Sequence, residues 1–151
     1  MTKPLPTWTK DLSVGESCLD EDHQAFFRLS ALLEDLRRLP GEEHESLIET
    51  ALNILEEYID GHFLREQTAM IKSEYPLLAE HIYAHDKFEK RVKRAIANYK
   101  ASHKRAELTS LSRLVTRWLA NHIQTMDSQY RGLLTSQNVD DRAFPLLDAD
   151  M

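Results

Sequence analysis

At 151 residues, with 42% hydrophobic and 29% charged positions, the chain has room for one folded domain around one core. A net charge of -6, and no basic cluster denser than RVKR at 91–94, speak against a nucleic-acid partner. The single cysteine, Cys18, excludes an internal disulfide and a thiolate metal site; with no secretory stretch in MTKPLPTWTK and no bilayer-length apolar run, a cytoplasmic protein without a membrane partner is expected.

Helical spacing dominates the sequence, and the two-residue alternation of strands never persists. In the first segment Leu19, His23, Phe26, Leu29, Leu33 and Leu36 recur at steps of three and four, Asp20 is the candidate N-cap, and Pro40-Gly41 ends the run. A second helix is expected from about Glu43 to Lys72, with Ile48, Leu52, Leu55, Ile59, His62, Glu66 and Ala69 on one stripe and Tyr75-Pro76 as its break. A third, Leu77 to about His103, carries Leu78, His81, His85, Phe88, Val92 and Ala95; a fourth, Leu108 to about Leu134, carries Leu111, Val115, Trp118, His122 and Met126.

Four amphipathic helices with short connections predict an all-α fold, an up-down-up-down antiparallel four-helix bundle. The bundle and its N-terminal arm, residues 1–11, occupy 1–134; residues 135–151 form a C-terminal tail expected to be flexible, although Phe144, Leu146 and Leu147 offer a way for it to dock. No exposed apolar stripe compels association, so a monomer is expected.

Stripes that ought to be apolar are interrupted by His23, His62, Glu66, His81, His85 and His122, whereas His44 and His103 sit in polar contexts near helix ends. In antiparallel succession the interrupting residues all fall at one end of the bundle. At about 1.5 Å per residue each lies within roughly 6–18 Å of that end, so they can converge on one interior layer. Buried imidazoles and a carboxylate without partners cost about 1–3 kcal/mol each, and a metal satisfies them together.

Residues i and i+4 share a helix face, so His81 with His85 can chelate one ion, and His62 and Glu66 can offer an imidazole beside a carboxylate. Five imidazoles plus carboxylates exceed what one tetrahedral zinc accepts; two adjacent octahedral ions suit them better, with Glu66 as one bridge. Asp127 is the candidate second bridge, but its position five residues after His122 turns about 140° around an ideal helix, so it reaches the site only from the flank or through local distortion.

Four motifs in order, DEDH (20–23), HFLRE (62–66), HIYAH (81–85) and WLANHIQTMD (118–127), resemble the bacterial hemerythrins, single-domain non-haem di-iron proteins that bind dioxygen, over about residues 8–134. The resemblance implies that His81, His85 and His122 ligate one iron and His23 and His62 the other, with Glu66, Asp127 and an oxo or hydroxo group bridging the pair. It implies O2 as the ligand at the open position of the two-histidine iron. Trp8 resembles a family feature that covers the bundle. Departures lie outside the ligand set: Gln67 stands where Glu is frequent after the bridging Glu, and Asp22 where Gln is common before the first His.

Carboxylate-rich di-iron enzymes use Glu-x-x-His pairs, and no Glu lies three positions before any of the five core histidines. Less ligand negative charge supports high-valent iron poorly, which favours reversible oxygen binding for storage, delivery or sensing. Phe63, Trp118 and Leu119 flank the ligands and are candidates to line a dry oxygen pocket, with Phe27 one turn from His23; core packing is their ordinary alternative. The alternative functions are a di-iron enzyme (oxidase, peroxidase or nitric-oxide-handling) on the same site, and an iron or zinc buffer. A protein that receives or delivers oxygen is an expected, unidentified partner.

Overall fold

The first long helix begins one turn earlier than its strongest capping residue suggests. Helix α1 spans Ser17–Leu36, and the Glu16 carboxylate accepts from the Leu19 amide at 2.8 Å to close its N-terminus. Asp20, the expected cap, lies inside the helix; its carboxylate accepts from the Val14 amide at 2.8 Å and from Ser13 Oγ at 2.5 Å, tying the entering chain to α1. The computed structural model describes residues 5–39 and 41–148, so Pro40, the expected helix stop, lies outside the described residues, as do the first four residues of the arm and the last three of the tail.

Helix α2 runs Glu45–Lys72, preceded by a 3-10 turn at Glu42–His44. It ends at Ser73 and Glu74, the latter in the left-handed region at φ 55°, just before Tyr75-Pro76. Helix α3 spans Leu78–Ser102 and closes on His103, also left-handed at φ 54°, whose amide donates to the Tyr99 carbonyl at 2.7 Å. Helix α4 spans Arg105–Thr125. It stops nine residues short of the expected Leu134: Asp127–Tyr130 is a 3-10 helix, and a turn follows. A fifth, short helix α5 covers Phe144–Asp148.

Neighbours in sequence are neighbours in space, and α1 also packs on α4, which closes an antiparallel four-helix ring with no strand among the described residues. The expected stripes form the core: Leu19, Phe26 and Leu33 of α1 meet Ile48, Leu52, Leu55 and Ile59 of α2, Phe88 and Val92 of α3, and Leu111 and Val115 of α4, all buried. Burial of such side chains contributes about 1.5–3 kcal/mol each, so this half of the bundle stands on apolar packing. Ile96 and Tyr99 carry the α3 stripe inward beyond Val92, while Ala95 is only half-buried.

After Thr135 the chain turns back along α2. Val139 joins the core cluster, Leu147 is buried, and the Phe144 ring stands edge-on to Tyr58 with centroids 4.9 Å apart. Gly61 permits this seat, because a Cβ there would stand 2.3 Å from Phe144 Cγ. No helix among the described residues is long and apolar enough to cross a membrane.

Candidate metal centre

The up-down order sets one end of each helix in a common layer. His23 comes two turns into α1, His62 and Glu66 lie in the second half of α2, His81 and His85 open α3, and His122 closes α4. All five histidines and both carboxylates, Glu66 and Asp127, are buried, and the structure brings all seven together.

They divide into two groups that share a carboxylate. Glu66, His81, His85, His122 and Asp127 form one, and His23, His62 and Glu66 the other, with candidate ligand atoms within 4.8 Å of one another in each. Glu66 turns Oε1 to His81 Nε2 at 2.7 Å and His85 Nε2 at 3.1 Å, and Oε2 to His62 Nε2 at 3.1 Å. Asp127 does the same from the opposite side. Its Oδ1 lies 2.9 Å from His81 Nε2 and 3.0 Å from His122 Nε2, and its Oδ2 lies 3.3 Å from His23 Nε2. The end of α4 makes this possible: once the α-helix gives way after Thr125, Asp127 begins a 3-10 helix and faces inward, overcoming its i+5 spacing.

These residues fit a metal pair. Ligands at right angles around an ion with metal–imidazole distances of about 2.1 Å stand about 3.0 Å apart. The Nε2 atoms of His23 and His62 are 3.2 Å apart and those of His81 and His122 are 3.1 Å apart. His85 Nε2 and both Asp127 oxygens are buried with no aligned hydrogen bond, an arrangement costing about 1–3 kcal/mol per group unless a cation satisfies it. The donor set is imidazole and carboxylate alone, which suits iron, copper, nickel or zinc by softness, and the two groups share Glu66.

The same groups neutralise one another across the layer. Burial opposes a charged His62, but the Glu66 charge and hydrogen bonds to Asp22 and Glu66 outweigh it and push its pKa up to about 10. His81 is likewise depressed by burial yet raised to about 9 by Asp127 and Glu66. His85, where burial wins over Glu66, falls to about 4. Burial raises Glu66 and Asp127, but the surrounding histidines hold both well below the carboxylate range. An ion entering at His62 and His81 therefore displaces protons.

Around this layer lies a set of partners that orient the ligands. Asp22 Oδ2 accepts from His62 Nδ1 at 2.9 Å, which fixes the tautomer with Nε2 free to ligate. Gln67 Nε2 lies 2.9 Å from His85 Nδ1, so the Gln67 amide meets the ring nitrogen of His85 that does not face the carboxylates. Tyr130 donates to Glu66 Oε2 at 2.9 Å. Asp22 and Gln67 are the two positions where the sequence departs from the family pattern. Tyr130 and the buried Arg65 went unread, although Tyr130 stands three residues after Asp127, the eclipsed spacing of a 3-10 turn.

Phe63 stacks on His85 with centroids 3.7 Å apart, and Trp118 stacks on His122 at 4.2 Å and on Phe88 at 3.9 Å. Phe63, Trp118 and Leu119 join Phe26, Phe88 and Val115 around a small apolar void of about 10 Å³, near the size of one water. Phe27 is buried, and Trp8 packs half-buried against the core.

Fold and site together define a four-helix bundle built around a histidine–carboxylate metal centre. The family model described as the hemerythrin HHE cation binding domain matches residues 15–134, and the chain belongs to that family. It is 30% identical over 126 residues to a bacteriohemerythrin of Pseudomonas paraeruginosa, across 82% of this chain and 77% of that protein. It is 29% identical over 134 residues to hemerythrin subunit 2 of Golfingia vulgaris and 30% identical over 132 residues to a hemerythrin of Themiste dyscrita, each across 85% of this chain and 96% of the relative. No solved structure matches.

Proposed function

We propose that the chain binds dioxygen reversibly at a pair of non-haem iron ions, for oxygen storage, delivery or sensing. One observation carries this reading: Glu66 and Asp127 each present one oxygen to each histidine group, the disposition two adjacent ions require.

In this reading His81, His85 and His122 would hold one ion and His23 and His62 the other, with Glu66 and Asp127 available to both. A bound di-iron pair supplies the electrons and the open coordination position that reversible oxygen binding needs. The rest is work of the chain. Three histidines against two leaves the His23–His62 half with fewer protein donors, so an incoming molecule finds room there. Tyr130 holds Glu66 in place from outside the ligand layer. Phe63, Trp118 and Leu119 pack an apolar layer beside the ligands, with Phe63 stacked on His85 and Trp118 on His122, and such a layer excludes water and slows proton delivery. Two carboxylates rather than four leave the site short of the negative charge that O–O cleavage favours, which argues for a carrier over an oxidase or peroxidase.

The test is an absorption spectrum of protein loaded with ferrous iron under argon, exposed to air, and returned to argon. Charge-transfer bands that appear in air and fade under argon are expected. Irreversible oxidation on first exposure, or turnover of added peroxide with an electron donor well above free iron, transfers the site to the enzyme reading. A protein that takes up one zinc and no iron removes the oxygen chemistry altogether.

A further inference from the structure

Arg65 lies between two candidate ligands, His62 and Glu66, along α2, yet its contacts are with Asp22, Cys18, Arg142 and Phe144 rather than with the ligand layer. It is buried, and a buried guanidinium persists only where its charge and donors are met. Its charge is met by Asp22: Nε stands 3.4 Å from Asp22 Oδ2, an ion pair without an aligned hydrogen bond, and that oxygen also accepts from His62 Nδ1 at 2.9 Å. Its Nη1 meets Cys18 Sγ at 3.0 Å. The remaining partners come from the far end of the chain: Nη2 donates to the Arg142 carbonyl at 2.8 Å, and the Phe144 ring lies 4.7 Å from the guanidinium carbon.

A continuous set of contacts therefore runs from the C-terminal segment through Arg65 and Asp22 to His62. In the other histidine group the partner of His85 is instead the neutral amide of Gln67. We propose that Asp22 and Arg65 are positioning residues for the His23–His62 half of the centre, and that the C-terminal segment sets Arg65 through Arg142 and Phe144, so that its docking tunes one ion and not the other.

The physical basis is the shared Asp22 oxygen. The Arg65 charge attracts that carboxylate and keeps it beside His62 Nδ1 without a hydrogen bond of its own, and the segment keeps Arg65 dry, which strengthens the attraction. With the segment released, water reaches the guanidinium, Asp22 loosens, and His62 Nε2 is no longer fixed on its ion. This rests on the reading of His62 as a metal ligand.

The experiment is anaerobic titration of the full chain with ferrous iron against a chelator, resolving the two binding steps, for wild type, Asp22→Asn, Arg65→Gln, Phe144→Ala and the double variants. Metal-free thermal unfolding is followed in parallel. Asp22→Asn is expected to weaken one binding step by about 10–100-fold and leave the other unchanged, the usual scale for removal of a ligand's hydrogen-bond partner. Arg65→Gln and Phe144→Ala weaken the same step by less, and together by no more than Arg65→Gln alone, because they lie on one path.

Equal losses at both steps, additive losses that track the metal-free unfolding temperature, or full affinity in Phe144→Ala overturn the proposal. Asp22→Asn leaves the Arg65 cation unpaired; should that variant not fold, the Arg65 and Phe144 cycle decides. Wild type that binds no iron overturns the metal reading itself, whereas wild type with two irons and an unaltered Asp22→Asn overturns only this inference.

Discussion

Asp127 Oδ1 stands 2.9 Å from His81 Nε2 while its Oδ2 stands 3.3 Å from His23 Nε2, so one carboxylate from a 3-10 turn faces imidazoles of two different helices and two different groups. Removing it affects both halves of the centre. Asp127→Ala is expected to lower iron content from two per chain to one or none while the helices persist. Metal analysis with circular dichroism checks this, and two retained irons would falsify the bridging role.

Metal loading is expected to stabilise the fold by mass action. Each ion held at about a thousand times its dissociation constant contributes about 4 kcal/mol, which for a domain of this length raises the unfolding midpoint by roughly 8–16 °C per ion. Calorimetry of iron-loaded protein, before and after chelation, measures it. Coincident midpoints count against a site that binds only the folded chain.

At the opposite end of the bundle Glu45 pairs with Arg105 and accepts from Tyr99 at 2.8 Å and from His103 at 3.1 Å. Chiefly the Arg105 guanidinium, and then Tyr99 and His103, hold its pKa down to about 2 against the ordinary 4.5, despite some burial. A carboxylate depressed on folding contributes stability above its unfolded pKa and loses it as pH falls through its folded one. The advantage of wild type over Glu45→Gln in urea unfolding should therefore be full above about pH 5 and shrink towards pH 2. A difference that stays constant across that window contradicts the assignment. The ion pair is partly exposed, so added salt is expected to reduce the advantage as well.

Gly61→Ala sets helix preference against packing. Alanine is favoured over glycine inside a helix by roughly 0.5–1 kcal/mol, but its Cβ would stand 2.3 Å from Phe144 Cγ. The expected outcome is a bundle that stays folded while α5 leaves α2, seen as faster proteolysis after Thr135. Unchanged cleavage means that Phe144 does not occupy this seat in solution.

The four helices were legible because each buries a stripe at helical spacing, and His23, His62, Glu66, His81, His85 and His122 because they interrupt those stripes at one end; Asp127, awkward at its i+5 spacing, was secured only by the family resemblance. The end of α4 was not legible. Met126, Tyr130 and Leu134 recur every four residues and imitate a continuing helix, whereas the chain turns 3-10 at Asp127 to bring its carboxylate inside. Asp20 looked like the N-cap because its type is preferred there, but its oxygens are taken by Ser13 and Val14. Asp22, Gln67, Arg65 and Tyr130 act through partners 40, 18, 77 and 64 residues away along the chain. Such pairings depend on how helices face one another, and no local periodicity announces them.

The ligand layer lies at one end of the bundle, and its other end is packed by Ile48, Leu52, Leu108, Leu111 and Ile96, all buried, with no candidate ligand among them. Each rod is thus divided along its length into a share that assembles and a share that reacts. The apolar share can hold the helices in register by itself, so a metal would enter a frame already built.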